Sequence, residues 1–404
     1  MNNLFNPYCK NSKEFIKNIK DWKNFGKKTQ IDKIEGVNRY TNEFWTSKQR
    51  ASHSIHEISY RACFKAQLPN FFITRLTNER DMIYDPFMGR GTTLIEAAIN
   101  DRNCIGNDIN PLSKALVLPR LNPPSLLEIQ KRLELIHFNY KLKIKNKDLL
   151  TFYHSKTLIE IEKMKNYFKN KLRNKKFDNI DNWIRMIALN RLTGHSKGFF
   201  SIYTLPPNQA VSVESQKKIN KKRNQKPEYR NTKKLIIEKT KSLLRSGSIK
   251  KPKIIKIYNY NSWETKKIAN NSIALTVTSP PFLDIVDYQK DNWLRCWFLD
   301  LNISKLKISQ IKRIDQWENF INKTIVELER ITKSKGYLAF EVGEIGKDKK
   351  ELERYVINAA KNTSFKSICV LINKQNFTKT SNAWGIKNNS KGTNTNRVVI
   401  FQKK

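Results

Sequence analysis

Apolar residues change period several times along the chain, and the changes mark its elements. DMIYDPF is a short apolar run, TTLIEAAIN places apolar residues at helical spacing, and NCIGNDI is again a short apolar run. The stretch from Met82 to Leu121 therefore predicts strand, glycine turn, helix, strand and helix. From 122 to 253 the texture differs. Helical stretches dense in Lys and Arg, IEKMKNYFKNKLRNKKF and SQKKINKKRNQKPEYRNTKKLIIEKTKSLLRS, flank an apolar piece marked by glycine and proline, HSKGFFSIYTLPPNQAV. This predicts a mostly helical basic insert. Alternation then resumes with strands KIIKIYNY and SIALTVTS, helices near NWLRCWFLDL and WENFINKTIVELERITK, and strands KGYLAFEV, SFKSICVLI and NRVVIFQK. Strands that alternate with helices in this way predict an α/β protein with a Rossmann-like, seven-stranded sheet. The first 50 residues are polar and basic and read as an arm or irregular cap. The expected boundaries are 1–50 for the arm, 51–121 and 254–404 for the two parts of the sheet domain, and 122–253 for the insert.

Charge adds a partner to this picture. Of 404 residues, 77 are Lys or Arg and 36 are Asp or Glu, a formal charge of +41. A field of that size favours a polyanion through counterion release, so nucleic acid is expected. The codon bias of an AT-rich genome accounts for part of the Lys, Asn and Ile content but not for the shortage of acids. Cys9, Cys63, Cys104, Cys296 and Cys369 are scattered, with no CxxC and no Cys/His spacing suited to zinc. Neither a disulfide scaffold nor a metal site is expected. No apolar stretch approaches the roughly 18–20 residues that a bilayer requires, and the N-terminus lacks the apolar core of a signal peptide. A cytoplasmic protein with reduced thiols is the expectation.

Two stretches carry candidate chemistry. Asp85-Pro86-Phe87-Met88-Gly89-Arg90-Gly91-Thr92-Thr93 joins the first predicted strand to its helix. Glycine there lets the backbone approach a ligand, and the N–H groups at the helix start attract a carboxylate such as the end of an amino-acid-like cofactor. Asp108 closes the next strand, where an acid can receive the ribose hydroxyls of a nucleoside. The second stretch, Thr278-Ser279-Pro280-Pro281-Phe282, ends the strand SIALTVT. Its prolines fix the backbone and cannot continue a sheet, so carbonyl oxygens near the strand end are left to accept hydrogen bonds. An amino group suits them, and Phe282 offers a flat face to an unstacked base. His195 reads either as a structural residue or as a base contact, and Trp293 and Trp297 read as core.

Together, DPFxGxGTT and TSPPF resemble the amino-methyltransferase family of DNA-modification enzymes, in its AdoMet-binding and its catalytic signatures. The resemblance covers the sheet on both sides of the insert. It implies S-adenosylmethionine (AdoMet) as cofactor, held by Asp85, Pro86, Phe87, Gly89, Gly91, Thr92, Thr93, Asp108, Ile109 and Thr278. HSIHEISYRACFKAQLPNFFI looks like the family's helix before the glycine loop, and by that likeness Phe64 adds an aromatic to the cofactor pocket. Catalysis falls to Ser279, Pro280, Pro281 and Phe282, acting on a base flipped out of duplex DNA. No metal and no covalent intermediate are implied, and the chain has no Pro-Cys pair of the kind that cytosine-C5 methylation uses. The insert becomes the target-recognition region, with His195, Lys217, Lys218, Lys221, Lys222 and Arg223 as DNA contacts. The family's adenine-contacting Asp is missing from IYNYNSWE, where Asn259 or Asn261 stands instead. In that family a Ser at the first catalytic position goes more often with cytosine N4 than with adenine N6. The expectation is a monomeric cytosine-N4 methyltransferase of double-stranded DNA, partnered by a cognate restriction endonuclease. Adenine N6, an RNA substrate on the same fold, and a basic DNA-binding protein with a decayed site are the alternatives.

Overall fold

The computed structural model describes residues 7–24, 26–46, 52–61, 63–138, 143–205, 209–281, 288–302, 311, 313–345, 350–374 and 395–404. Helix α1 (Ser12–Lys20) is capped by the Asn11 side chain, which accepts from the Glu14 N–H. A hairpin follows, β1 (Gln30–Ile34) against β2 (Val37–Asn42). Its turn is Glu35-Gly36, with φ of 48° and 77°, as a two-residue turn between right-twisted strands requires. Helix α2 (Gln67–Leu76) leads to β3 (Met82–Asp85), α3 (Thr92–Ile99), β4 (Asn103–Asn107) and α4 (Pro111–Val117).

Helices dominate the described part of the next stretch: α5 (Leu126–Glu134), α6 (Ser155–Arg173), α7 (Asn179–Arg191), α8 (Val213–Lys222) and α9 (Thr232–Leu244). Capping boxes, Ser125 with Glu128 and Asp178 with Asp181, start α5 and α7. The chain returns to the sheet as β5 (Ile255–Tyr258) and β6 (Ile273–Thr278). Then come α10 (Tyr288–Asp291), α11 (Trp293–Phe298), α12 (Ile314–Ile331), β7 (Thr332–Val342), α13 (Leu352–Ala359), β8 (Phe365–Lys374) and β9 (Thr395–Lys403).

One nine-stranded sheet runs in the order β1-β2-β8-β9-β7-β6-β3-β4-β5. The seven expected strands are the run from β8 to β5, in which β9 alone is antiparallel to its neighbours. The other two correct the expectation for the N-terminal region, since the described residues 30–34 and 37–42 form strands of the sheet and not an arm or irregular cap. β2 pairs in parallel with β8, Tyr40 opposite Leu371, and widens the sheet. Arg39 fastens it through Asp32 (2.6 Å) and Glu351 (2.5 Å).

Strand side chains alternate between two cores, as the two-residue period dictates. Ile83, Leu275, Val277, Ala339, Val398 and Ile400 pack with the helices α2 to α4. Tyr84, Leu338, Phe340, Val399 and Phe401 pack with α12 and α13, and so does Ile273, which lies before a register irregularity in β6. The helices of the 122–253 stretch are part of the first core: Ile161, Met164, Trp183, Ile187 and Ile236 are all buried in it. At roughly 1.5–3 kcal/mol for each fully buried large apolar side chain, this packing joins the stretch firmly to the sheet. From β3 the chain moves one way to β4 and β5, whereas β6 and β7 lie on the other side. That reversal puts the ligand-binding crevice of a doubly wound sheet at the ends of β3 and β6.

Candidate active site

At the reversal, β3 ends in Asp85 and β6 in Thr278, and their side chains meet. Thr278 Oγ1 donates to Asp85 Oδ1 at 2.6 Å, between residues 193 apart in the sequence. In the first turn of α3, Thr93 Oγ1 donates to the Val277 carbonyl at 3.0 Å. Two buried hydrogen bonds thus hold the glycine turn and the proline turn in fixed relation. Asp85 is 2% exposed and also accepts from the Phe87 N–H at 3.0 Å. Burial outweighs these bonds and pushes its carboxyl up to about 7.

An open pocket of about 760 Å³ lies over this junction, a size within the range of small-ligand sites. Tyr60, Cys63, Pro86, Phe87, Gly89, Asp108, Ile109 and Asn110 line it from the first part of the chain, and Tyr260, Asn261, Ser262, Trp263, Ser279, Pro280, Pro281 and Phe320 from the second. A smaller recess joins Cys63, Phe64, Asp85, Phe87, Met88, Thr92 and Ser279. Asp108 accepts the Gly89 N–H on Oδ2 and the Asn110 N–H on Oδ1, each at 2.8 Å. Burial raises its carboxyl and these bonds oppose the rise. Phe320 packs between Phe87 (centroids 5.5 Å apart) and Trp263 (5.6 Å), which makes one side of the pocket aromatic.

Most residues expected at a cofactor are brought together. Pro86, Phe87, Gly89, Asp108 and Ile109 line the pocket, and Phe64, Asp85 and Thr92 line the recess. Gly91, Thr93 and Thr278 line neither. Gly91 caps α3 at φ +76°, and a Cβ there would come within 2.4 Å of Val117, so its glycine serves the turn and the packing of α4. The two threonine hydroxyls are spent on the bonds between the turns. The stretch expected as a helix before the glycine loop is helical only from Gln67, which leaves Phe64 in an irregular strap. Arg90 holds that strap through the Ile58 carbonyl (2.9 Å) and the Phe64 carbonyl (3.4 Å), and Arg120 holds it through the Ile55 carbonyl (3.3 Å).

Ser279, Pro280 and Pro281 share the pocket with the glycine turn, and Phe282 lies outside the described residues. Trp317 Nε1 donates to the Pro281 carbonyl at 3.3 Å and steadies the turn. Ser279 also has an acidic neighbour that the sequence did not reveal. β7 runs parallel to β6 with Phe340 opposite Thr278, so Glu341 comes level with Ser279 and is hydrogen-bonded by its hydroxyl. Asn396 Nδ2 donates to the same carboxyl at 3.1 Å. Burial nevertheless holds Glu341 above the usual carboxylate range. Of the two asparagines in IYNYNSWE, Asn261 lines the pocket, while Asn259 donates to the Asp108 carbonyl at 2.8 Å.

The expected DNA contacts lie apart from the pocket. His195 is exposed on the loop after α7, and Lys217, Lys218, Lys221 and Lys222 are exposed along α8. Arg223 follows them, its guanidinium 3.8 Å from the Tyr203 ring centroid. Trp293 and Trp297 are partly buried against the first core, as expected. All five cysteines are free. Among the described residues no group of His, Cys, Asp and Glu could hold a metal ion, and no helix is long and apolar enough to cross a membrane.

A doubly wound sheet with an acid-flanked glycine turn on one strand and a proline turn on the neighbouring one is the arrangement of the Rossmann-like AdoMet-dependent methyltransferase fold. The residues fit that cofactor: a buried carboxyl at Asp85 suits an ammonium group, Asp108 borders the pocket beside it, and the aromatic side suits adenine. Comparison with known proteins narrows the class. Residues 1–117 match the sequence model of a DNA methylase family that comprises N6 and N4 enzymes. Type II methyltransferase M.MjaII of Methanocaldococcus jannaschii is 36% identical over 87 residues, which are 21% of this chain and 16% of that protein. Type II methyltransferase M.MvaI of Kocuria varians is 34% identical over 94 residues, 22% of this chain and 20% of that protein. The matched stretch thus spans a fifth or less of the length of either relative. Among solved structures, TrmN of Thermus thermophilus aligns with 88% of this chain and 53% of its own at 9% identity and a TM-score of 0.34, too distant to bear on function. Over these stretches the chain is similar to DNA amino-methyltransferases.

Proposed function

We propose that the chain is a site-specific DNA methyltransferase, which transfers a methyl group from AdoMet to the exocyclic N4 amino group of cytosine in duplex DNA by base flipping, as in restriction–modification. The observation that carries this reading is the single pocket shared by the glycine turn and Ser279-Pro280-Pro281. Bound AdoMet supplies an electrophilic methyl group on a sulfonium. Asp85 would hold the ammonium of its methionine end, Asp108 its ribose, and Ile109, Trp263 and Phe320 its adenine.

The base's amino nitrogen is conjugated to its ring and is a poor nucleophile, so much of the rate must come from positioning. Ser279 Oγ and the Pro280 carbonyl accept the amino hydrogens, which turns the nitrogen lone pair toward the methyl group. Ser279 is free to accept because its own proton is directed at Glu341. The proton that the methylated amine must lose passes to Ser279 Oγ as the serine proton passes to Glu341, whose buried carboxyl takes it more readily than an exposed one. Phe282 supplies a face for the flipped ring. His195 and the basic row Lys217, Lys218, Lys221, Lys222 and Arg223 contact DNA from the target-recognition insert, 122–253. The choice of N4 rests on Ser279 in the first catalytic position.

The test is incorporation of tritiated methyl groups into duplex DNA, followed by nucleoside analysis. N4-methylcytosine is the expected product. N6-methyladenine as sole product overturns the choice of base and leaves the enzyme class standing, and methylation of transfer RNA that duplex DNA does not compete away overturns the choice of nucleic acid.

A further inference from the structure

A cationic recess at the other end of the sheet has no part in this chemistry. After α1 a two-stranded ribbon sets Lys23 directly opposite Lys28. Like charges opposite one another in a ribbon destabilise it, and an anion bound beside them would relieve that cost. Lys27, Lys28 and Lys374 line an open recess with the amides of Asn24 and Gln30 and one acid, Glu43, which is engaged by Asn24 Nδ2 at 3.3 Å. The three lysines are exposed, and none is ion-paired with a described residue.

The topology places this recess on the working edge of the sheet. β8 runs in the same direction as β7, β6 and β3, because β9 is antiparallel to both β8 and β7. Lys374 ends β8 and therefore lies along the same edge as Ser279, which follows β6. Three strand spacings of about 4.8 Å separate β8 from β6, or about 15 Å, and the ribbon lies some 5–10 Å farther along. A duplex with one charge per roughly 1.7 Å of axis carries several phosphates across that distance.

We propose that Lys27, Lys28 and Lys374 form a second phosphate-contact surface, which holds duplex DNA flanking the base presented to Ser279. The proposal rests on reading the pocket as that of a DNA methyltransferase. It assigns the N-terminal region a binding task separate from target recognition by the insert.

The experiment uses the full chain and three proteins: wild type, Lys27→Gln/Lys28→Gln/Lys374→Gln, and Lys28→Glu. Fluorescence anisotropy measures binding to 30-bp and 10-bp duplexes across a salt series, and calorimetry measures AdoMet binding. On the 30-bp duplex the triple variant should lose about 2–3 from the slope of log K against log salt, at about 0.9 per phosphate contact. On the 10-bp duplex, whose half-length is about 17 Å, most of that difference should vanish. Turnover on plasmid DNA at saturating substrate and AdoMet affinity should stay as in wild type. Lys28→Glu should raise the Tm, because it sets opposite charges across the ribbon, and should still weaken binding to the 30-bp duplex. A purely structural ribbon would not couple a gain in stability to a loss of binding. An unchanged slope and affinity on the 30-bp duplex, with wild type methylating DNA, overturns the proposal alone. A wild-type chain that binds AdoMet but neither binds nor methylates DNA overturns the reading of the pocket, and this proposal with it.

Discussion

Replacing Asp85 by Asn removes a buried charge and little else, because the amide keeps an oxygen for the Thr278 hydroxyl and the Phe87 N–H. In the folded chain burial pushes the carboxyl from 3.8 up to about 7. A group raised in this way favours folding in its neutral form. Its contribution is complete below about pH 4 and is lost as pH rises toward and through 7. At about 1.36 kcal/mol per pH unit, the span from 3.8 to about 7 comes to about 4 kcal/mol, of which about half is lost between pH 5.5 and pH 8. Asp85→Asn should therefore gain on wild type by about 2 kcal/mol between those two pH values in urea unfolding. The same charge should govern the cofactor. If the carboxylate holds the ammonium of AdoMet, binding expels a proton from Asp85, and wild-type affinity should fall about tenfold at pH 6 relative to pH 8. The variant should bind weakly at both pH values, with little dependence on either. A stability difference between the two proteins that is the same at pH 5.5 and pH 8 would refute the reasoning.

Three further outcomes are expected. Asp108→Ala should weaken AdoMet binding by about 1–3 kcal/mol in calorimetry, the scale of hydrogen bonds to a charged group, and unchanged affinity would remove Asp108 from the cofactor site. Alanines at Ser279, Pro280, Pro281 and Phe282 together should abolish methyl transfer and spare AdoMet binding, whereas retained activity would sink the positioning role of the turn. Glu341→Gln should lower kcat on the order of 10²-fold, the low end for a lost proton acceptor, with AdoMet affinity intact. A kcat that does not move takes Glu341 out of the proton path.

The legible parts of the chain were those whose cause is local. β6 is a mostly apolar run, broken only by Thr276 and Thr278, that is buried along its whole length, and the glycine turn and the proline turn that carry the pocket are each contiguous in sequence. The hairpin was hidden because β1 exposes four of its five residues and so shows no alternation; the signal available was the Glu35-Gly36 turn. The strap before α2 owes its path to Arg90 and Arg120 gripping backbone carbonyls, contacts that any sequence could offer. Glu341 reaches Ser279 only through the register of β7 on β6. Trp263 and Phe320 arrive from a loop and from α12, with nothing in their own neighbourhoods to mark them. Gly91, Thr93 and Thr278 belong to the motifs, yet they act on the shape of the turns rather than on a ligand.

The pairing of β2 with β8 also bears on what the folded chain can associate with. β8 is ten residues long, and Val370, Leu371 and Ile372 within it are buried. Without the hairpin, its outer N–H and C=O groups would be an open edge, a ready template for a strand of another molecule. The strand that takes the outermost place instead is β1, with half the length, an Asp and a Lys in its middle, and Asp32 already committed to Arg39. So short and charged an edge gives an incoming strand little to pair with, and the N-terminal hairpin thereby guards the sheet against edge-to-edge aggregation.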